Sequence, residues 1–93
     1  MDVKEAVVAA KKWVLNTLSD ESITNLGLDE VEFKDEDKTW EITLGFSRPW
    51  NGTRNAITAL TGEPAPRRVY RVLKVSDDTG DVVSMKRKEN GED

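Results

Sequence analysis

The residues best equipped for chemistry are five arginines and a tryptophan. Arg48, Arg54, Arg67, Arg68 and Arg71 crowd the two ends of one segment, and Trp50 stands between them. Guanidinium groups beside an aromatic ring can grip a phosphate or a carboxylate, and an unpaired base can stack on the indole. The chemistry on offer is anion capture. The chain carries a net charge of −4, so an acidic protein partner suits the cluster better than nucleic acid, which wants a stronger basic field. The competing reading is structural: the arginines balance neighbouring acids and Trp50 folds back onto the core.

Other chemistry is poorly supplied. There is no cysteine and no histidine, which removes thiol nucleophiles, thiolate metal sites and the commonest general base. No glycine-rich phosphate loop and no nucleophile elbow occurs. The carboxylates fall mostly in expected turns and on the wet side of a helix, where an acid–base pair of the glycosidase kind would not be tuned. Asp35-Glu36-Asp37-Lys38 resembles a cation loop in composition but lacks the spacing and glycine of one. It reads as a charged hairpin turn. The expectation is a protein that is not an enzyme, with no catalytic residue, no cofactor and no metal.

The elements that position these residues follow from periodicity. In Lys38 to Trp50, the residues Trp40, Ile42, Leu44 and Phe46 alternate with Glu41, Thr43 and Gly45. That is period two, a strand with one buried and one wet face. Pro49 cannot donate to a ladder and ends it. Upstream, Asp2 and Glu5 form a capping box, and Val3, Ala6, Val7, Ala10, Val14, Thr17 and Leu18 share one helical face. A helix is predicted from about Val3 to Leu18, with Val8 and Leu15 off its buried face. Ser19 to Gly27 is read as a connection in which Ile23 and Leu26 tuck under the sheet and Gly27 supplies a left-handed turn.

Strands are predicted over Leu28 to Lys34 (Val31 and Phe33 inward), Arg67 to Val75 and Asp81 to Lys86 (Val83 and Met85 inward). Val69, Leu73 and Val75 point to one side of the third strand, Tyr70 and Val72 to the other. Ser76 to Gly80 is a tight turn with Gly80 available for the left-handed position. Trp50 to Pro66 is irregular, with one helical turn at Asn55 to Leu60. Asn51-Gly52-Thr53 matches a glycosylation acceptor, without meaning in a cytoplasmic chain.

The fold class is therefore α+β: an N-terminal helix packed on one face of a four-stranded antiparallel meander. Ninety-three residues make one domain. It spans 1–88, with an irregular insertion at 47–66 and a flexible charged tail at 89–93. Charge is uneven. Residues 1–37 hold ten acids and four bases, residues 38–74 two acids and seven bases, and residues 75–93 six acids and three bases. No apolar run approaches the roughly 18 residues of a membrane span, and the first residues lack the layout of a signal peptide. A cytoplasmic protein without membrane or nucleic-acid contact is expected.

This layout resembles the PepSY-like and cystatin-like small domains. The matching residues are Glu5-Ala6-Val7 at the helix start, Trp40-Glu41-Ile42 after an acidic turn, and Tyr70-Arg71-Val72 followed by Asp77-Asp78-Thr79-Gly80-Asp81-Val82. PepSY-like repeats commonly close with an Asp-x-x-Thr-Gly-Glu-Val turn and a final strand. The resemblance implies a helix-plus-meander module of regulatory or protease-associated inhibitory type. Leu44-Gly45-Phe46-Ser47-Arg48-Pro49-Trp50 also resembles a stretch of small bacterial proteins that offer no function to carry over.

A sheet with one helix leaves its other face open. Tyr70, Val72 and Val82, with Thr43 and Glu41, are expected there. The leading functional expectation is a protein-interaction or regulatory module using this face for a partner or a second copy. The alternative is the anion or acidic-partner site built from Arg48, Trp50, Arg54, Arg67 and Arg68.

Overall fold

The computed structural model describes residues 1–48 and 68–88. The helix α1 spans Val3–Thr17, a single 3-10 turn spans Ser19–Glu21, and four strands follow: β1 (Thr24–Lys34), β2 (Thr39–Ser47), β3 (Arg68–Ser76) and β4 (Val82–Arg87). The sheet order is β1-β2-β3-β4 with every neighbouring pair antiparallel. The expected α+β architecture, one helix against a four-stranded meander, is the architecture observed.

The helix begins where the sequence places it. The Asp2 carboxylate accepts from the Glu5 amide at 2.8 Å, and the Glu5 carboxylate accepts from the Asp2 amide at 2.9 Å. Two amides that the first turn leaves unpaired are thereby satisfied. Ala6, Ala10 and Val14 are fully buried on the sheet. Small residues there bring the helix axis close to the strands. Val8 and Leu15 are exposed, as their off-face positions imply.

The core is completed by Ile42, Leu44 and Phe46 of β2 and Val69, Leu73 and Val75 of β3. These face the helix in register, Ile42 opposite Leu73 and Phe46 opposite Val69. Trp40 sits at the hairpin end of this row, half-buried, its ring 4.9 Å from Phe33. Ile23 and Leu26 pack against the same core.

Several sequence expectations need correction. β1 begins at Thr24, four residues earlier than expected, and takes in much of the supposed connection. Its pairing with β2 is broken twice, between Thr24 and Gly27 and between Leu28 and Glu30. Asn25 adopts a left-handed φ of 56°. These irregularities destroy the alternation that would have revealed the strand. Gly27 is not a left-handed turn residue. It lies in β1 opposite Gly45, and the positive-φ residues among those described are Ser22, Asn25, Lys38 and Gly80. The odd positions of β2 are not wet: Thr39, Thr43 and Ser47 are buried although they point away from the helix. A central strand is covered on both sides by the long side chains of its neighbours. β2 does end at Ser47, where the sequence has the strand stop ahead of the proline.

The largest correction concerns β4. A bulge falls between the pairs Lys74–Ser84 and Val75–Val82. One residue, Val83, is extra, so the alternation slips by one. Val82 turns toward the helix side and packs on the core, while Val83 is 59% exposed. The expectation of Val83 inward and Val82 on the open face is thus reversed, and Met85 remains inward against the core as expected.

Candidate functional site

The open face is best read as rows across the four strands. One row runs Glu32, Glu41, Lys74, Ser84 from β1 to β4, and the next runs Glu30, Thr43, Val72, Lys86. In these two rows acids stand on β1 and β2 and bases on β3 and β4; Lys34 of β1, one row further on, is a base on the same face and pairs with Glu32 at 3.4 Å. Between the acids and bases of the two rows lies a concavity of about 420 Å³ floored by Thr43 and Val72. Arg87 and Lys88 extend its basic wall.

The concavity follows from the twist of the sheet. β1 and β4 are its two edges, about 14 Å apart if it were flat. Yet Lys88, just past β4, reaches Glu30 of β1 at 3.5 Å and Asp29 at 3.7 Å. The long Lys88 and Glu30 side chains, helped by the twist of the sheet, span that distance across the open face. Lys88 also donates its amide to the Tyr70 carbonyl at 3.4 Å, extending the β4 ladder by one residue.

Beyond the second row the face is paved differently. Gly27 and Gly45 lie side by side and leave a trough without side chains. Tyr70 and Arg68 fill it. A Cβ on Gly45 would sit 2.7 Å from Tyr70 Cε1 and 2.9 Å from Arg68 Nη2. The Arg68 guanidinium lies 5.9 Å from the Tyr70 ring centre and donates to the Asn25 carbonyl of β1 at 2.7 Å. Both residues thus lie over Gly45 of β2, and Arg68 goes on to join β3 to β1. An aromatic lying over a strand glycine restores the packing that glycine lacks.

Of the residues singled out by sequence, Tyr70 and Val72 are on the open face and Val82 is not. Trp50, Arg54 and Arg67 lie outside the described residues, as do the helical turn at 55–60 and the tail at 89–93. Arg48 and Arg68 stand at the same end of the sheet, because Ser47 pairs with Arg68. They point to opposite faces. Arg48 lies on the helix side, its guanidinium 5.7 Å from the centre of the Phe46 ring and 3.4 Å from the Glu21 carboxylate. Arg71 also belongs to the helix side, opposite Leu44, and donates to the Tyr70 carbonyl at 2.8 Å.

The acidic turn is tied down by protein groups. Asp37 accepts from the Thr39 hydroxyl at 2.7 Å and from Lys74 at 3.3 Å, and these bonds lower its pKa. Lys38 reaches Asp35 at 3.1 Å. Asp77 accepts from the Trp40 indole at 3.0 Å and from the amino terminus at 3.2 Å, which lowers its pKa likewise. Lys34 is raised by its hydrogen bond and charge pairing with Glu32. Among the described residues no group of three or more acidic side chains could hold a metal ion. No helix there is long and apolar enough to cross a membrane.

Sequence reasoning missed the acidic and basic walls, apart from Glu41. The signal was present: Glu30 and Glu32 in β1, and Lys86 in β4 with Lys88 just past it, recur with the period of one strand face. It needed the strand order and the β4 bulge to be read. No family model, curated protein or solved structure matches the chain significantly.

Proposed function

We propose that this protein is a non-enzymatic binding module of interaction or regulatory type that meets a protein partner through the open face of its sheet. One observation carries the reading: among the described residues, the face of the sheet away from α1 is a concavity with an acidic and a basic wall over a floor of Thr43 and Val72. Separated walls of opposite charge favour one orientation of a partner and disfavour others. The resemblance to PepSY-like and cystatin-like domains implies a module of the same kind and adds no residue to the site. The arginine cluster has no comparable support, since Arg48 and Arg68 face opposite ways and each holds a protein partner.

The test is an amide map of the labelled protein by NMR, alone and in a concentrated extract of the cells that make it. Selective shifts or broadening at Thr43, Val72 and Ser84 are expected, with Val8 and Lys12 of the helix unchanged. Changes confined to the helix, or none, would remove the proposal.

A further inference from the structure

The charge pattern of the open face is complementary to itself. Rotating a second copy by 180° about an axis lying in the interface and parallel to the strands exchanges left for right. The acidic wall of each copy then lies over the basic wall of the other. Row meets row: Glu41 stands over Lys74 of the second copy, and Glu30 over Lys86. A two-fold axis across the strands would instead set acid over acid. The first arrangement is also the aligned packing open to two sheets, near −30° once twist is included, and it is isologous, as a two-fold dimer requires.

A second observation points the same way. Glu32 and Glu41 are direct cross-strand neighbours on the open face. Like charges directly opposite each other destabilise a sheet. Within the molecule Lys34 answers Glu32 at 3.4 Å, and the rotation places Lys74 of a second copy over the other acid, Glu41.

We propose that the occupant of the open face is a second copy of this chain, docked sheet to sheet about a two-fold axis parallel to the strands. This rests on the reading of that face as an interface and names its partner. The face measures roughly 20 by 25 Å from strand spacing and rise, about 500 Å² per copy. The dimer buries about 1,000 Å² in all, at the lower bound for a specific interface. It is accordingly a weak and reversible dimer whose orientation is fixed by charge.

Sedimentation equilibrium of the unaltered protein tests this first. Mass should rise toward twice the monomer with concentration, and the association should weaken by on the order of ten-fold between low and high salt. The decisive step uses two variants. Glu30→Lys with Glu41→Lys makes a face of bases, and Lys74→Glu with Lys86→Glu makes a face of acids. Each alone should be monomeric, and an equimolar mixture should form a one-to-one dimer tighter than the unaltered one. If a variant fails to fold, the concentration dependence of the unaltered protein's amide shifts decides: changes at Thr43, Val72 and Ser84 support the dimer, and changes elsewhere or nowhere overturn it. A protein that stays monomeric throughout, or a mixture no better associated than its components, overturns the second copy. The open face as an interface would survive that result if the extract experiment still mapped to Thr43, Val72 and Ser84.

Discussion

At the scale of single residues, Gly45 and Asp77 show how local chemistry holds this sheet. Gly45 is needed for space, not for a special backbone angle. Adding a methyl there drives against Tyr70 at 2.7 Å and Arg68 at 2.9 Å, so Gly45→Ala should cost about 1–3 kcal/mol in urea unfolding. The same change at Gly27 meets only Arg68 at 3.4 Å, an ordinary contact, and should stay within about 1 kcal/mol of neutral. Asp77 ties Trp40 and the amino terminus to the last turn, and Asp37 ties β2 and β3. Both have pKa values lower folded than unfolded. Each contribution is therefore complete above the unfolded value, about 3.9, and is lost as pH falls through the lower folded one. Melting temperature should drop as pH is lowered from 5 toward 2, and Asp37→Asn with Asp77→Asn should flatten that limb. An equally steep limb in the double variant would show that other carboxylates carry it.

At the scale of elements, legibility tracked regularity. α1 could be read because its capping box and apolar face agree, and β2 because four apolar residues alternate without interruption. β1 and β4 resist the same reading where bulges break the alternation, since one extra residue moves the next side chains to the other face. Val82 and Val83 look alike in sequence, and only the pairing of Val82 with Val75 decides which is inside. Thermal or urea unfolding should separate them. Val82→Ser should destabilise by about 1–2 kcal/mol, and Val83→Ser should lie within about 0.5 kcal/mol of the parent. Equal costs would mean the strand runs without its bulge. The capping box carries its own expectation: Asp2→Ala should cost about 1 kcal/mol, and Asp2→Ser much less.

At the scale of the whole molecule, the α+β meander was legible and the site only half so. Tyr70 and Val72 were placed on the open face correctly, yet Tyr70 proves to pave a glycine trough. The charged walls depend on strand order, which brings together residues as far apart in sequence as Glu30 and Lys88. The helix covers one side of the sheet with small residues, and the two middle rows of the other side carry acids on β1 and β2 and bases on β3 and β4. An interface is the role that this division supports best. The most direct measurement places a photo-crosslinking side chain at Ser84, in the concavity, and separately at Lys12, on the outer side of α1, in living cells. The account predicts a discrete crosslinked species from Ser84 that is lost when Lys74 and Lys86 are changed to Glu, and none from Lys12. A product from Lys12 alone, or one from Ser84 indifferent to those charges, would contradict it.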